Sequence, residues 1–466
     1  MPLPTTFAGT SARGEGLFNY ISLGGNYWVT TLTDTYTSPS SVARGIAVDS
    51  SGNVYVCGYG YNSSGATVQS ISKWNNSGTI QWQRTLTDTY SSPTDLAYGI
   101  AVDSSGNVYV CGSATNSSGR FVQSISKYNT SGTIQWQRTL KDNWTKPSDI
   151  AFGIAVDSSG NVYVCGRGLD DSSGNQIQSI SKWDTSGTIQ WQNTLTDTYT
   201  TSADLAYGIA VDGSGNVYVC GRGRDSSGNV VQSISKWDTS GTIQWQKTLT
   251  DTYTTPNDEA YGIAVDSSGN VYVCGYGLNS SGNQIQSISK WNTSGTIQWQ
   301  KTLTDNYTSP NDIAYGITVD SSGNVYVCGS GTNSSGRPVQ SISKYNTSGT
   351  IQWQRTLTDS YATPNDVAYG ITVDSSGNVY VCGSGRNSSG NYVQFIAKLP
   401  ADGSKTGTYS GTNFGITYAA SSWTAATSSW TSAASTWTDA TSSLTSASSS
   451  WTSATSTWTT DKALIP

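Results

Sequence analysis

The seven cysteines of this chain, Cys57, Cys111, Cys165, Cys220, Cys274, Cys328 and Cys382, lie 54, 54, 55, 54, 54 and 54 residues apart. So regular a mark over most of 466 residues means one structural unit stacked on copies of itself, not three or four unrelated domains. One copy, starting at Ala260, reads AYGIAVDSSGNVYVCGYGLNSSGNQIQSISKWNTSGTIQWQKTLTDNYTSPND. It splits into four short segments rich in β-branched and aromatic residues: strand a (GIAVD), strand b (NVYVCG), strand c (QSISKW) and strand d (TIQWQ with the following TL). The a–b link DSSGN and the c–d links NTSGT and DTSGT are short, polar and glycine-bearing, as hairpin turns require. The b–c link around NSSG and the d–a link TDTYTTPND are longer.

Strand b decides the architecture. Val271 and Val273 point one way and Tyr272 and Cys274 the other, so both faces are apolar or amphipathic. A four-stranded antiparallel sheet buried on both faces, repeated at a fixed period, fits sheets packed face to face around an axis. A two-layer sandwich would alternate more cleanly. The ends agree. Tyr27-Trp28-Val29-Thr30-Thr31-Leu32-Thr33-Asp34 repeats the strand-d text of Gln81 to Asp88 with no strands a to c before it. The seventh copy supplies a, b and c, then loses the pattern at Lys398-Leu399-Pro400-Ala401-Asp402-Gly403. The expectation is an all-β, seven-bladed β-propeller over residues 21–411, closed by that N-terminal strand and preceded by an arm, residues 1–20. The text GIAVDSSGNVYVCG followed by the K-W/Y-N-x-S-G-T-I-Q-W hairpin resembles the bacterial SBBP propeller repeats and, more distantly, NHL repeats. That resemblance implies the fold and leaves function open, because propellers host enzymes, lectins and scaffolds.

Residues 412–466 are a different material. From Ala419 to Thr460, 26 of 42 residues are Ser or Thr, and the only charge is Asp439. Trp423, Trp430, Trp437, Leu444, Trp451 and Trp458 stand seven apart; Ala426, Ala433, Ala440, Ala447 and Ala454 follow the first five by three. Large at a and small at d predicts a coiled-coil stalk joining chains, with a trimer favoured. A continuous strand would throw successive tryptophans onto opposite faces, because seven is odd. Ser and Thr are poor helix formers, so such a helix would hold only when assembled. A stack of seven-residue strand-turn units is the rival.

Composition removes whole chemistries. There is no histidine, which excludes His-based acid/base catalysis, triads and His-ligated metals. Glu15 and Glu259 are the only glutamates, which excludes a paired-Glu hydrolase. The net charge of −6 argues against a nucleic-acid partner. No run of 18 apolar residues suggests membrane insertion, and residues 1–20 lack the basic and apolar regions of a signal peptide. The DSSGN aspartates, Asp49 and Asp103 among them, lack the ligand spacing of a Ca²⁺ loop and are expected to form turns; no metal and no cofactor is expected. Equivalent cysteines on neighbouring blades stand roughly 10 Å apart, beyond disulfide reach, so free buried thiols are expected. The NSS and NTS tripeptides are read as turn chemistry rather than glycosylation sites.

Candidate binding residues lie on the face shared by the d–a and b–c links. The d–a link carries Asp95, Asp149, Asp204, Asp258, Asp312 and Asp366, with Ser41 in the first copy. Three residues on come Tyr98, Phe152, Tyr207, Tyr261, Tyr315 and Tyr369, with Arg44 in the first. An Asp beside an aromatic at a channel mouth suits a cation or a stacked sugar; equally, Asp satisfies turn amides and Tyr packs between blades. The copies differ most at the b–c link, which offers Tyr59, Tyr61, Arg167, Arg222, Arg224, Tyr276 and Arg386. The expected function is a non-enzymatic virion protein, a phage tail or fibre component made in the host cytoplasm. Its head presents loops to a host-surface glycan or protein, and its tail joins it to copies of itself and to other virion proteins. The tail resembles the Ser/Thr-rich repeats that end such proteins. A bacterial cell-surface adhesin or filament subunit is the alternative. A propeller lyase or glycosidase fits less well, because near-identical blades offer no unique catalytic constellation.

Overall fold

The computed structural model describes residues 27–465, except 35, 89, 91–93, 143–147, 171–172, 198, 200–202, 306, 413, 422, 429–430, 435–437, 442–444, 449–451 and 456–458. The arm at residues 1–20 lies outside the described residues. What is described is all-β: seven antiparallel sheets arranged as a seven-bladed propeller. Blade 2 shows the plan, with strands Leu96–Val102 (a), Val108–Thr115 (b), Phe121–Tyr128 (c) and Ile134–Lys141 (d) hydrogen-bonded in that order. Strand a is innermost and begins three residues earlier than the GIAVD text suggests. The seventh blade has strands Val367–Val373, Val379–Arg386 and Tyr392–Leu399. Its fourth is the N-terminal Tyr27–Thr33, paired Trp28 to Lys398 and Leu32 to Gln394.

Blades are held by apolar side chains sorted by the two-residue period of strand b. Tyr109 and Cys111 of blade 2 pack on Ala151, Val162, Val164 and Trp183 of blade 3. The same sorting joins the last blade to the first: Tyr380, Cys382 and Trp28 meet Ala43, Val54 and Trp74. Each fully buried side chain of this kind contributes on the order of 1.5–3 kcal/mol. Strand-d tryptophans add a latch: Trp82 Nε1 donates to the Thr130 carbonyl of the next blade at 3.1 Å, and Trp28 Nε1 to the Asn76 carbonyl at 3.0 Å across the closure. The cysteines are free and buried, and burial pushes their thiols up.

The tail overturns the helical expectation. It starts with a short hairpin, Gly407–Ser410 with Gly415–Ala420. Six more strands follow: Thr424–Thr427, Thr431–Ala434, Thr438–Thr441, Thr445–Ser448, Thr452–Thr455 and Thr459–Ile465. Gly415–Ala420 lies antiparallel on the outer strand d of blade 6, and the six others cover blades 5 down to 1 and finally Tyr27–Thr33. Every seven residues advance the chain by one blade: Ala420, Thr427, Ala434, Thr441, Ser448 and Thr455 pair with Arg355, Lys301, Lys247, Asn193, Arg138 and Arg84. A Thr-rich segment is a poor helix and a good strand. Seven open strand-d edges supply the backbone partners that a helix would have left unmet. The odd-period objection to strand disappears because the strand is broken after every four residues. A coiled coil is therefore not the structure of the described residues from Trp423 to Thr459.

Phe414, Ile416, Tyr418 and Trp423 join this belt to the core. Trp423 makes the seat furthest along the tail among the residues whose burial is described. Its ring packs on Leu303 of blade 5 and Val339 of blade 6. A Cβ at Gly331 would come within 2.1 Å of it, so the glycine makes the seat. Ala426 is exposed in its strand opposite Thr302. Ala433, Ala440, Ala447 and Ala454 stand opposite Thr248, Thr194, Thr139 and Thr85. Trp430, Trp437, Leu444, Trp451 and Trp458 lie outside the described residues.

Candidate functional site

Strand a carries a β-bulge in every blade. In blade 2, Ala97 pairs with Gly112 and Gly99 with Cys111, which leaves Tyr98 as the extra, unpaired residue. Bulges re-aim a side chain. Here the bulged residues of successive blades, Arg44, Tyr98, Phe152, Tyr207, Tyr261, Tyr315 and Tyr369, meet one another around the axis. Ring centroids run 5.2 Å from Tyr98 to Phe152, 5.2 Å to Tyr207, 4.9 Å to Tyr261, 5.1 Å to Tyr315 and 5.1 Å to Tyr369. Arg44 closes the circle, its guanidinium carbon 4.0 Å from the centre of the Tyr369 ring. The bulge also explains the glycine of VYVCG. A Cβ at Gly112 would sit 1.9 Å from the Leu96 carbonyl oxygen.

Outside this aromatic circle, strand b ends in a second set: Tyr59, Ser113, Arg167, Arg222, Tyr276, Ser330 and Ser384, all at one register position. Arg222 Nη1 is 2.5 Å from Glu259 Oε1, the one ion pair among the described residues. Glu259 replaces the Leu, Ile or Val that other blades carry there, and its charge raises the Tyr207 and Tyr276 phenols after burial has done so. Arg167 Nη2 donates to Ser148 Oγ at 3.1 Å. Burial is the first cause that raises the phenols of the circle, among them Tyr98 and Tyr369, and it takes Tyr315 to about 12. They remain neutral hydroxyls.

The aspartates of the d–a link do something else. Each is paired with a second Asp seven residues earlier, at the end of strand d. Asp95 Oδ2 accepts the Asp88 amide at 2.8 Å, and Asp88 Oδ2 accepts the Thr115 amide at 2.6 Å. The pair thus ties the d–a link to the start of the b–c link. The first of these bonds recurs from Asp149 to Asp142, Asp204 to Asp197, Asp258 to Asp251, Asp312 to Asp305 and Asp366 to Asp359. Burial, with the hydrogen bond to the partner carboxyl, pushes Asp95 up to about 8, Asp149, Asp204 and Asp312 to about 9 and Asp258 to about 10. Burial and the neighbouring carboxyl thus favour the protonated form of these acids. The first blade shows the same requirement with a different residue: Ser41 Oγ donates to Asp34 Oδ2 at 2.6 Å. The acids of this face are therefore committed to holding the loops.

The remaining candidates separate into two groups. Arg167, Arg222, Tyr59 and Tyr276 stand beside the aromatic circle. Tyr61, Arg224 and Arg386 sit two residues further along and contact loop tyrosines instead: Tyr61 meets Tyr36 edge-on at 5.5 Å, Arg224 lies 5.7 Å from the Tyr199 ring, and Arg386 lies 5.7 Å from the Tyr361 ring. The DSSGN aspartates form turns, as Asp49 does by accepting the Ser51 and Asn53 amides, both at 2.9 Å. No cluster able to hold a metal occurs among the described residues. Sequence reasoning did not single out the first Asp of each pair or Glu259 as site residues. The TLTD text seven residues before the loop Asp, and one Glu at an otherwise apolar position, were the available signals.

Residues 28–65, 89–119, 146–171, 253–283, 306–336 and 360–389 match the SBBP beta-propeller repeat. The chain carries SBBP beta-propeller repeats. No curated protein sequence matches it. Among solved structures, it is similar to a protein of unknown function from Bacteroides caccae, at 13% identity over 68% of this chain and 93% of that one, with a TM-score of 0.36. A Trypanosoma rangeli sialidase in complex with the inhibitor DANA is 12% identical over 71% of this chain and 57% of that one, with a TM-score of 0.38. A protein of unknown function from Dyadobacter fermentans is 9% identical over 78% of this chain and 98% of that one, with a TM-score of 0.38.

Proposed function

We propose that this protein is a non-enzymatic adhesion head, a phage tail or fibre component, that binds a host-surface glycan at the channel mouth of its SBBP propeller. The observation that carries this is the aromatic circle: six rings on bulged strands, closed by Arg44, on the face where the blades diverge. Tyrosine rings stack on sugar faces, and their neutral hydroxyls bond sugar hydroxyls. The six loop acids already bond backbone amides, which favours a binding role over acid/base chemistry. Glycan arrays probed with the full chain test the proposal. Binding that falls when Tyr207 and Tyr261 are changed to Ala supports it; an array without signal rejects it. Detection of the protein on purified particles tests the virion setting, and detection on a bacterial surface would favour the adhesin instead.

A further inference from the structure

We infer that the channel mouth holds a subsite for an oxyanion, the carboxylate or sulfate of an acidic sugar, gripped by Arg44 and Arg167. This deepens the glycan proposal by naming the class of sugar, and it rests on that proposal.

The seven blades are near copies, yet the two rings at the mouth depart from symmetry on blades 1, 3, 4 and 5. Arg44 takes the place of an aromatic in the inner circle. Arg167 and Arg222 occupy positions where three other blades carry Ser113, Ser330 and Ser384. Arg222 has its acid, Glu259, at 2.5 Å. Arg44 and Arg167 have no ion pair, because that of Arg222 is the one among the described residues. The acid whose charge would reach Arg167, Asp149, is pushed toward its neutral form by burial and by Asp142. The Nε atoms of Arg44 and Arg167 are buried without a hydrogen-bond partner. Tyr98 stands on the blade between them, at the bulge position that follows Arg44 around the circle. Ser113 Oγ, on that same blade, is fully buried and also unpartnered.

A guanidinium taken from water without a counter-charge is costly, and its planar fork matches an oxyanion in two parallel hydrogen bonds. An acidic group seated over Tyr98 would meet two such forks. The ring of the same sugar would then lie on the aromatic circle. Oxyanion and sugar face are thus recognised by adjacent residues.

The test uses the full chain and calorimetric titration with four probes: an oligoglucuronate, a sulfated oligosaccharide, a neutral malto-oligosaccharide and inorganic sulfate. Arg44→Tyr and Arg167→Ser are the variants, because each installs the residue that other blades carry at that position and so keeps the fold. Acidic oligosaccharides are expected to bind, with about a tenfold loss or more in each variant, the usual effect of removing a hydrogen bond to a charged group. Neutral binding is expected to stay unchanged in Arg167→Ser, which lies outside the aromatic circle. The first two probes tell carboxylate from sulfate. If neutral and acidic sugars bind alike, or the variants bind acidic sugars undiminished, the subsite is refuted while the glycan proposal stands. If inorganic sulfate binds and is lost in Arg44→Tyr but no oligosaccharide binds, the subsite stands and the glycan proposal fails. Silence from all four probes refutes both.

Discussion

Two repeats share this chain, and they encode different things. A blade of 54 residues carries its own four strands, its own turns and two apolar faces, so the text of one copy specifies its sheet. A tail unit of seven residues carries only a four-residue strand and a link, and it takes its shape from the edge on which it lies. Its period measures a step around the circumference rather than a turn of helix. Two facts show the match. The register advances one blade per seven residues, and Ser421 and Ser428 meet Gln354 and Gln300 in the same way, Oγ to Oε1 at 3.2 and 3.0 Å. A period read alone is ambiguous when the segment cannot bury its own surface.

That contrast can be broken or sharpened by experiment. The largest effect is expected inside a blade. Gly112→Ala places a Cβ 1.9 Å from the Leu96 carbonyl, so the bulge must shift, and a loss of more than about 4 kcal/mol in urea unfolding is expected. Deleting residues 412–466 should leave the blade sheets intact by circular dichroism, because no strand a, b or c lies in the tail. It opens the outer edges, so mass by light scattering should rise with concentration. A fall from a discrete oligomer to a monomer would restore the stalk. Trp423→Ala removes the wedge between blades 5 and 6 and is expected to cost about 3 kcal/mol, with faster amide exchange at Leu303 and Val339.

The acid pairs give a pH dependence. The d–a link carboxyls of these pairs, Asp95 and Asp258 among them, bind a proton more tightly folded, at about 8 to 10, than an unfolded Asp does, at about 3.9. Their contribution is therefore fully present below the unfolded value and lost as pH rises through 8 to 10. Thermal unfolding should occur at lower temperature at about pH 9 than at about pH 6. Asp95→Ser copies the first blade's solution, so it should change stability near neutral pH by less than about 1 kcal/mol and weaken the alkaline loss.

Much of the propeller was legible because its determinants are local. Alternation in VYVC marked a sheet buried on both faces, DSSGN and NTSGT marked the turns, and the orphan strand at Trp28 marked the closure. The bulge at Tyr98 was not, since an extra residue shows only once the partner strand fixes the count. For the same reason the loop acids kept two readings, ligands or turn formers, until Asp88 and the Thr115 amide stood beside Asp95. The arginines of the mouth were visible as variation, but Glu259 and Arg222 are 37 residues apart and belong to different blades.

By itself the sequence determined the number of blades, the order of their strands and the place where the ring closes, because each copy holds the side chains that fold it. Tertiary structure alone decided the tail, the aromatic circle and the pairing of charges at the mouth. The strand-d edges find their partners in the tail, the bulge residues and Arg222 find theirs in neighbouring blades, and no local pattern records which of them will meet.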